Sequence, residues 1–347
     1  MRRFVTTLSL ALLVIAGAVH SQTPPRIKVV TDAAAARVDI SIDGKPFTSY
    51  MYPQDEKKPY LYPLRTAHGT IVTRGWPIDP RPNERVDHPH HIGMWFNYGD
   101  VNGLDFWNNS GDIPAERAPR MGTIVHKQVI EAKSGQDKGE LSVEMDWVDA
   151  RGTLILKEST HFVFRGDAQS RVIDRVTRLS AVKEPVVLGE SKEGVLGIRV
   201  ARSLEQPSKT PDIFTDAQGK ATKDRVVNNE GVNGEYLGSD GKTGDAVWGT
   251  RGPWTMLRGK VESEPVTLAI LDHPANPGFP TYWHARGYGL FAANNLGQNA
   301  FDPKQPEVKR TIEPGESMTF RHRVLILNGT ADAARLTAEH ETFSQQK

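Results

Sequence analysis

Apolar and polar residues alternate with a period of two along most of the chain. In residues 37–50, Val38, Ile40 and Ile42 fall on one face, and Asp43-Gly44 follows as a hairpin-turn signal. Leu141, Val143, Met145 and Trp147 alternate in the same way, and after the Arg151-Gly152 break a second alternating run continues to Phe164. Residues 170–182 and 317–329 read as further strands, and the 31 glycines and 23 prolines supply turns between such runs. Only residues 330–343 have helical spacing, with Thr330 in the N-cap position. The pattern predicts an all-β chain: one large antiparallel β-sandwich closed by a C-terminal helix. Residues 205–245, rich in Gly, Asp, Asn and Lys, predict long loops over one end. No linker, low-complexity tract or regular repeat divides the chain, so residues 22–347 are expected to form a single domain.

The first residues bear on location. Arg2 and Arg3, an apolar run from Leu8 to Val19 and a small-residue exit at Ser21 follow the order of a secretory signal peptide over residues 1–21. That run is too short to span a bilayer comfortably, and nothing later is long enough to stop transfer. The expectation is a periplasmic or secreted protein with no membrane span. The formal charge of +1 on 347 residues becomes −1 once the two arginines leave, which gives no electrostatic case for nucleic acid. The absence of cysteine excludes disulfides, thiolate metal sites, a cysteine nucleophile and a lipid-anchoring cysteine.

Chemistry concentrates in residues 87–108, "DHPHHIGMWFNYGDVNGLDFWN". If residues 88–90 are extended, His88 and His90 point to one side and His91 to the other, because a strand repeats every two residues. Such a pair presents two imidazoles to one substrate or one ion, and Pro89 between them sets it at a sheet edge or strand end. Asp87 and Asp100 are placed to orient an imidazole through its second nitrogen. Met94 and Phe96 alternate like core residues. Trp107, flanked by Asp105, Asn108 and Asn109, reads instead as a sugar-stacking platform, with Asn102 as a further polar contact.

A second stretch repeats Asp-His-Pro at residues 272–274 and then offers Trp283, His284, Arg286 and Asn294. Packed face to face, the two stretches would line one cleft with five imidazoles. Arg286 carries a fork of donors suited to a carboxylate or a pair of sugar hydroxyls. In residues 188–201, Glu190, Lys192 and Glu193 precede a strand-like run ending at Arg199, a position where a β-sandwich can hold a general acid or base. Trp248 and Arg251 add an aromatic and a cation of the same kind. The catalytic candidates are His88, His90, His91, Glu193 and His284. The substrate-binding candidates are Asp87, Asn102, Asp105, Trp107, Trp248, Arg251, Trp283, Arg286 and Asn294. A divalent metal ion, if one is used, is assigned to His88, His90 and His273.

Residues 87–107, 192–201, 246–254 and 272–297 resemble the bacterial PmoA-family proteins (DUF6807), a domain of unknown function often labelled "methane oxygenase PmoA". The resemblance runs over nearly the whole mature chain. It implies an exported protein of polysaccharide-degrading bacteria, and hence work on carbohydrate. The label itself implies a His-ligated, metal-dependent oxygenase. The membrane subunit behind that label is a multi-helix membrane protein, whereas this chain has no membrane helix after its leader. The predicted sandwich is also similar to the galactose-mutarotase-like supersandwich, which hosts epimerases, lyases and hydrolase accessory domains, so fold alone does not choose a chemistry.

Three functions follow. The favoured one is a carbohydrate-active enzyme, a hydrolase, lyase or epimerase, moving protons with His and Glu on a small-molecule or oligosaccharide substrate. The second is a non-catalytic sugar-binding module with Trp107, Trp248 and Trp283 as platforms. The third is an oxygenase whose imidazoles bind copper or iron. Acid–base side chains outnumber what a binding platform requires, which favours the first.

Overall fold

The computed structural model describes residues 24–346, so the signal-peptide segment 1–21 lies outside the described residues. The chain begins with β1 (Ile27–Asp32), β2 (Arg37–Ile42), β3 (Lys45–Met51), β4 (Tyr60–Tyr62) and β5 (Met94–Tyr98). Four long strands follow: β6 (Thr123–Lys133), β7 (Gly139–Val148), β8 (Leu154–Gly166) and β9 (Ser170–Ala181). Next come β10 (Val186–Leu188), β11 (Gly194–Arg199), β12 (Glu235–Gly238), β13 (Trp254–Val261) and β14 (Glu264–Asp272). The chain ends with β15 (Tyr282–Arg286), β16 (Leu290–Asn294), β17 (Arg310–Ile312), β18 (Ser317–Asn328) and the helix α1 (Ala333–Ser344).

Two eight-stranded antiparallel sheets form a sandwich. The first runs β1-β2-β3-β4-β5-β11-β16-β15, and the second β12-β13-β14-β18-β9-β8-β7-β6. β10 and β17 pair separately. The period-two pattern explains the layers. Leu141, Val143, Met145 and Trp147 of β7 all face inward and are buried. They meet Val38, Ile40, Phe96 and Ile198 of the first sheet in one core shared by both. Each such side chain contributes about 1.5–3 kcal/mol of transfer free energy, set against the conformational entropy lost on ordering it. The β2–β3 hairpin turns at Asp43 (φ 52°) and Gly44 (φ 75°), the two left-handed positions that a type I′ turn demands.

The helix differs from expectation at its start. Asp332, not Thr330, is its N-cap, accepting from the Arg335 amide at 2.9 Å. As expected, α1 closes the sandwich, on one of its faces. Its Leu336 and Phe343 pack on Trp254, Met256, Ala269, Leu271, Leu325 and Leu327, the outer face of the second sheet. Of the predicted loop 205–245, residues 205–234 carry only isolated bridges, whereas β12 and a 3-10 turn beginning at Gly244 occupy part of the rest. Among the described residues no helix is long and apolar enough to cross a membrane.

Candidate active site on the outer face of the first sheet

The outer face of the first sheet carries its own apolar cluster, built on Trp95, Leu290 and Ala292 with Tyr60, Tyr62, Ile92 and Trp107. Strand parity brings the chemistry here. Trp283 and Ala285 of β15 point into the shared core, so His284 and Arg286 point out. Leu196 and Ile198 of β11 point in, so Gly197 and Arg199 point out. A Cβ at Gly197 would lie 2.5 Å from the Trp95 ring and 3.0 Å from that of Trp107, so glycine leaves the room that seats these indoles.

Residues 88–91 form a turn, not a strand. The His91 amide donates to the His88 carbonyl at 2.9 Å, and His88 sits at φ 45°. The turn folds all three imidazoles onto one spot, so His91 does not face away from His88 and His90. His88 stacks on His91, with centroids 4.8 Å apart and planes 2° from parallel, and His90 stands edge-on to His91 at 4.4 Å. His91 in turn stacks on Trp95 at 5.1 Å. Every predicted catalytic residue (His88, His90, His91, Glu193 and His284) lines one cavity of about 190 Å³. Trp107, Arg286, Asn108, Lys192 and Tyr288 complete its wall. At about 30 Å³ per water the space holds roughly six waters, comparable to one small polar ring.

Beneath the turn lies a buried charge relay. Asp87 Oδ1 accepts from Arg74 Nη1 at 2.5 Å and from Arg199 Nη2 at 2.6 Å. Burial acts to raise the Asp87 pKa, but the Arg199 and Arg74 guanidiniums and the His88 bond outweigh it and hold the carboxyl well below the usual range. Its other oxygen, Oδ2, lies 2.9 Å from His88 Nδ1. A carboxylate can only accept, so His88 Nδ1 carries a proton and Nε2 is left as the basic atom. His88 is 40 % exposed and also stacks on Tyr288, whose ring centroid lies 5.0 Å from the Arg199 guanidinium carbon.

Partners assign the other rings. Arg199 Nη1 can only donate, so His91 Nδ1, 3.3 Å away, is the acceptor and the proton lies on Nε2. His284 Nδ1 donates to the Lys192 carbonyl at 3.0 Å, which leaves its Nε2 lone pair free. Burial keeps these rings neutral: His90 is pushed down to about 2 and His284 to about 3, with nearby cations adding to the shift, and His91 falls well below its usual value. Glu193 shifts the other way, raised by burial against the opposing Lys192 ammonium 3.3 Å from Oε1.

Several predicted contacts lie elsewhere for definite reasons. Trp283 is fully buried in the shared core, so it is no platform. Trp107 is also fully buried, wedged 5.1 Å from Trp95, and serves as cavity wall and not as an open stacking surface. Arg251 donates to the carbonyls of Gly278, Phe279 and Pro280 and braces that loop. Asn102 spans Pro185 and Val187, while Asp105 caps the Asn108 amide. Asn294 accepts from Leu296 and Gly297 and donates to the Ser191 carbonyl, so it shapes the turn that carries Glu193 without lining the cavity. Asp100 caps Gly103 rather than a histidine, and Glu190 gathers the amides of Gln298, Ala300 and Val308. Trp248 and Arg286 do reach the site, lining an adjoining groove of about 800 Å³ that shares Asp87, His88 and Tyr288 with the relay and cavity.

The second Asp-His-Pro does not meet the first. His273 follows β14 of the second sheet, where Nε2 lies 3.0 Å from the Gln346 carbonyl and the ring abuts Phe343 of α1. A metal on His88, His90 and His273 is therefore not formed. Among the described residues no group of three or more His, Asp or Glu is arranged to hold a metal ion. Arg74, Arg199 and Tyr288 were missed from the sequence. Arg199 ends the strand-like run after Glu193 and Tyr288 follows Arg286 by two residues, whereas Arg74 carries no local signal.

Fold and site together define a two-sheet β-sandwich protein with a His- and Glu-lined cavity on an outer sheet face. The chain belongs to a family of unknown function (DUF6807), whose model matches residues 37–341. No curated protein matches its sequence significantly. Among solved structures it is similar to the Slr1438 protein from Synechocystis sp. PCC 6803, at TM-score 0.30 and 11% identity over 91% of this chain and 100% of that one. A variant of a Glycoside Hydrolase Family 97 enzyme from Pseudoalteromonas sp. strain K8 aligns at TM-score 0.28 and 10% identity, over 87% of this chain and 34% of that one.

Proposed function

We propose that the protein is an exported carbohydrate-active enzyme that moves protons on a sugar held in the small cavity, with His88 as base and Glu193 as acid. The relay from Arg74 and Arg199 through Asp87 to His88 Nδ1 carries this reading. A carboxylate held ionised behind an imidazole fixes the ring's tautomer and stabilises the imidazolium once Nε2 takes a proton. Glu193 supports the second role, because burial lets its carboxyl keep a proton to higher pH than an ordinary glutamate. The neutral His90, His91 and His284 rings suit binding and orientation better than proton uptake, since protonating them costs the desolvation that depresses them. The leader-like residues 1–21 support export.

The test is a screen of the purified protein on neutral and acidic oligosaccharides, followed by His88→Ala and Glu193→Gln on any substrate found. Each variant is expected to lose about 10²-fold or more in turnover, the usual scale for a general acid or base, with melting close to wild type. Sugar binding with no turnover on any member of the panel returns the protein to the binding-module reading.

A further inference from the structure

We infer that the substrate is an acidic sugar, and that Arg286 grips its carboxylate. The inference rests on the reading of the cavity as a sugar site and specifies which sugars enter. Charge accounting around the two adjoining cavities leaves two lining cations without an ion pair, Lys209 on the groove and Arg286, and of these only Arg286 also lines the small cavity. Asp87 is held by Arg74 and Arg199, and Asp212 by Arg85 at 2.8 Å with Arg225 at 3.9 Å. Glu193 has Lys192. Asp245, on the groove wall, is the one lining acid in no ion pair. Among the described residues the Arg286 side chain has neither a hydrogen-bond partner nor an ion pair, although it lines both the small cavity and the groove. Two rings hold it there, Trp248 at 5.7 Å and Tyr288 at 5.9 Å from the guanidinium carbon. An arginine flanked by two aromatic faces with its fork free is preorganised for a planar anion, because its position is set by contacts that leave the donors unused. A carboxylate matches the fork in shape and charge. The His91 Nε2–H, buried and without a protein partner, adds a donor in the same cavity.

An acidic sugar also gives the acid–base pair something to do. A carboxylate neutralised by Arg286 acidifies the adjacent C–H. His88 Nε2 takes that proton, and the electron pair passes first into the carboxylate and then into a new C=C bond. The C–O bond on the neighbouring carbon breaks, and the departing oxygen takes the proton of Glu193. One C–H and one C–O bond are exchanged for one C=C and one O–H, with the second proton on His88 and no net redox change. The reaction class is β-elimination from a uronate-containing saccharide.

The experiment measures equilibrium binding of galacturonate, galactose and galactose 6-sulfate to the full protein, and ultraviolet absorbance of unsaturated product from oligogalacturonate and oligoglucuronate. Wild type is expected to bind galacturonate about tenfold or more tighter than galactose, the scale of a hydrogen bond to a charged group. Arg286→Gln should abolish that preference by losing far more affinity for galacturonate than for galactose, and Arg286→Lys should restore part of it. Galactose bound as tightly as galacturonate, tighter binding of the sulfate ester, or equal losses for both sugars in Arg286→Gln overturns the inference. If neutral saccharides are turned over with His88 dependence, the acid–base reading stands and the acidic-sugar inference falls. If galacturonate binds through Arg286 while no saccharide is turned over, the reverse holds. Failure of every sugar to bind removes both.

Discussion

The tripeptide Asp-His-Pro occurs twice, and the two copies have opposite environments. Asp87 faces two guanidiniums and is held ionised, and His88 beside it opens onto the cavity. Asp272 receives only neutral donors, from Asn276 at 2.7 Å, Asn295 at 2.8 Å and the Thr281 amide at 2.9 Å, and burial pushes its carboxyl up to about 7. His273 beside it is packed against Phe343 of the C-terminal helix. Identical local sequence therefore gives a charged relay at one place and a structural network at the other. The difference lies in what the rest of the chain brings: Arg74 and Arg199 in one case, amides in the other. A tripeptide fixes which atoms are available, but distant partners fix their protonation.

The largest expected effect comes from removing each carboxylate. Asp87→Asn leaves the buried Arg74 guanidinium without its counter-charge and Arg199 with only Glu205 at 4.0 Å, so it is expected to cost about 3–5 kcal/mol in stability and to abolish turnover. Asp272→Asn keeps most of the amide network but turns its NH2, a donor, toward one of the donors that the carboxylate accepted from. It is expected to cost about 1–2 kcal/mol and leave turnover unchanged. Chemical denaturation and a turnover assay on both variants check the contrast, and equal losses in the two would dissolve it.

Acid sharpens the comparison. The folded pKa values of His90, His284 and His322 fall to about 2, 3 and 3, and His91 is also well depressed, against about 6.5 in an unfolded chain. Below pH 6.5 the unfolded state binds protons that these buried rings refuse, so stability present above that pH is lost as pH falls. The slope is about 1.4 kcal/mol per unit for each group, or roughly 2 kcal/mol per histidine between pH 6.5 and 5. Asp272 acts in the opposite direction: with its folded pKa raised to about 7, its contribution is complete in acid and is lost as pH rises through 7. Four histidines outweigh one aspartate, so melting temperature should drop from pH 7 to pH 5. It should drop more steeply in Asp272→Asn, which lacks the opposing group. Parallel curves for the two proteins would mean that Asp272 is not the raised carboxyl.

Much of this was legible from pattern alone. Alternation marks strands such as β2 and β7 because one buried face per strand is a local property, and it identifies Leu141 to Trp147 as inward-facing without any tertiary knowledge, whereas β5, β11 and β16 are buried on both faces and carry no such pattern. The same rule bears on the site. Trp283 and His284 are adjacent on one strand, so they cannot both face the cavity, and parity alone rejects one once the other is accepted. The direction of His91 was not legible, because His88 adopts a left-handed φ that a histidine rarely takes and the strand reading assumed extended backbone. The protonation states were hidden for a different reason. Near-normal histidines were the natural expectation for a proton shuttle, yet His90 and His284 are depressed by burial that no local window contains.

The smallest effect tests the acid. Burial raises Glu193, and the Lys192 ammonium, 54 % exposed and 3.3 Å from Oε1, opposes that rise. Lys192→Gln removes the opposition, so the Glu193 pKa should climb further. If Glu193 must be protonated to act, the alkaline limb of the pH–turnover profile moves to higher pH. An exposed ammonium is well screened, so the displacement should be a few tenths of a unit at low ionic strength and fade in about 1 M salt. His284 is also lowered by Lys192, but at about 3 it stays neutral across the working range, so its response cannot mimic this one. If it is instead the acid limb that moves to higher pH, Glu193 is a base acting as its carboxylate and exchanges its role with that of His88. A limb that does not move at low salt would place the titrating acid elsewhere in the cavity.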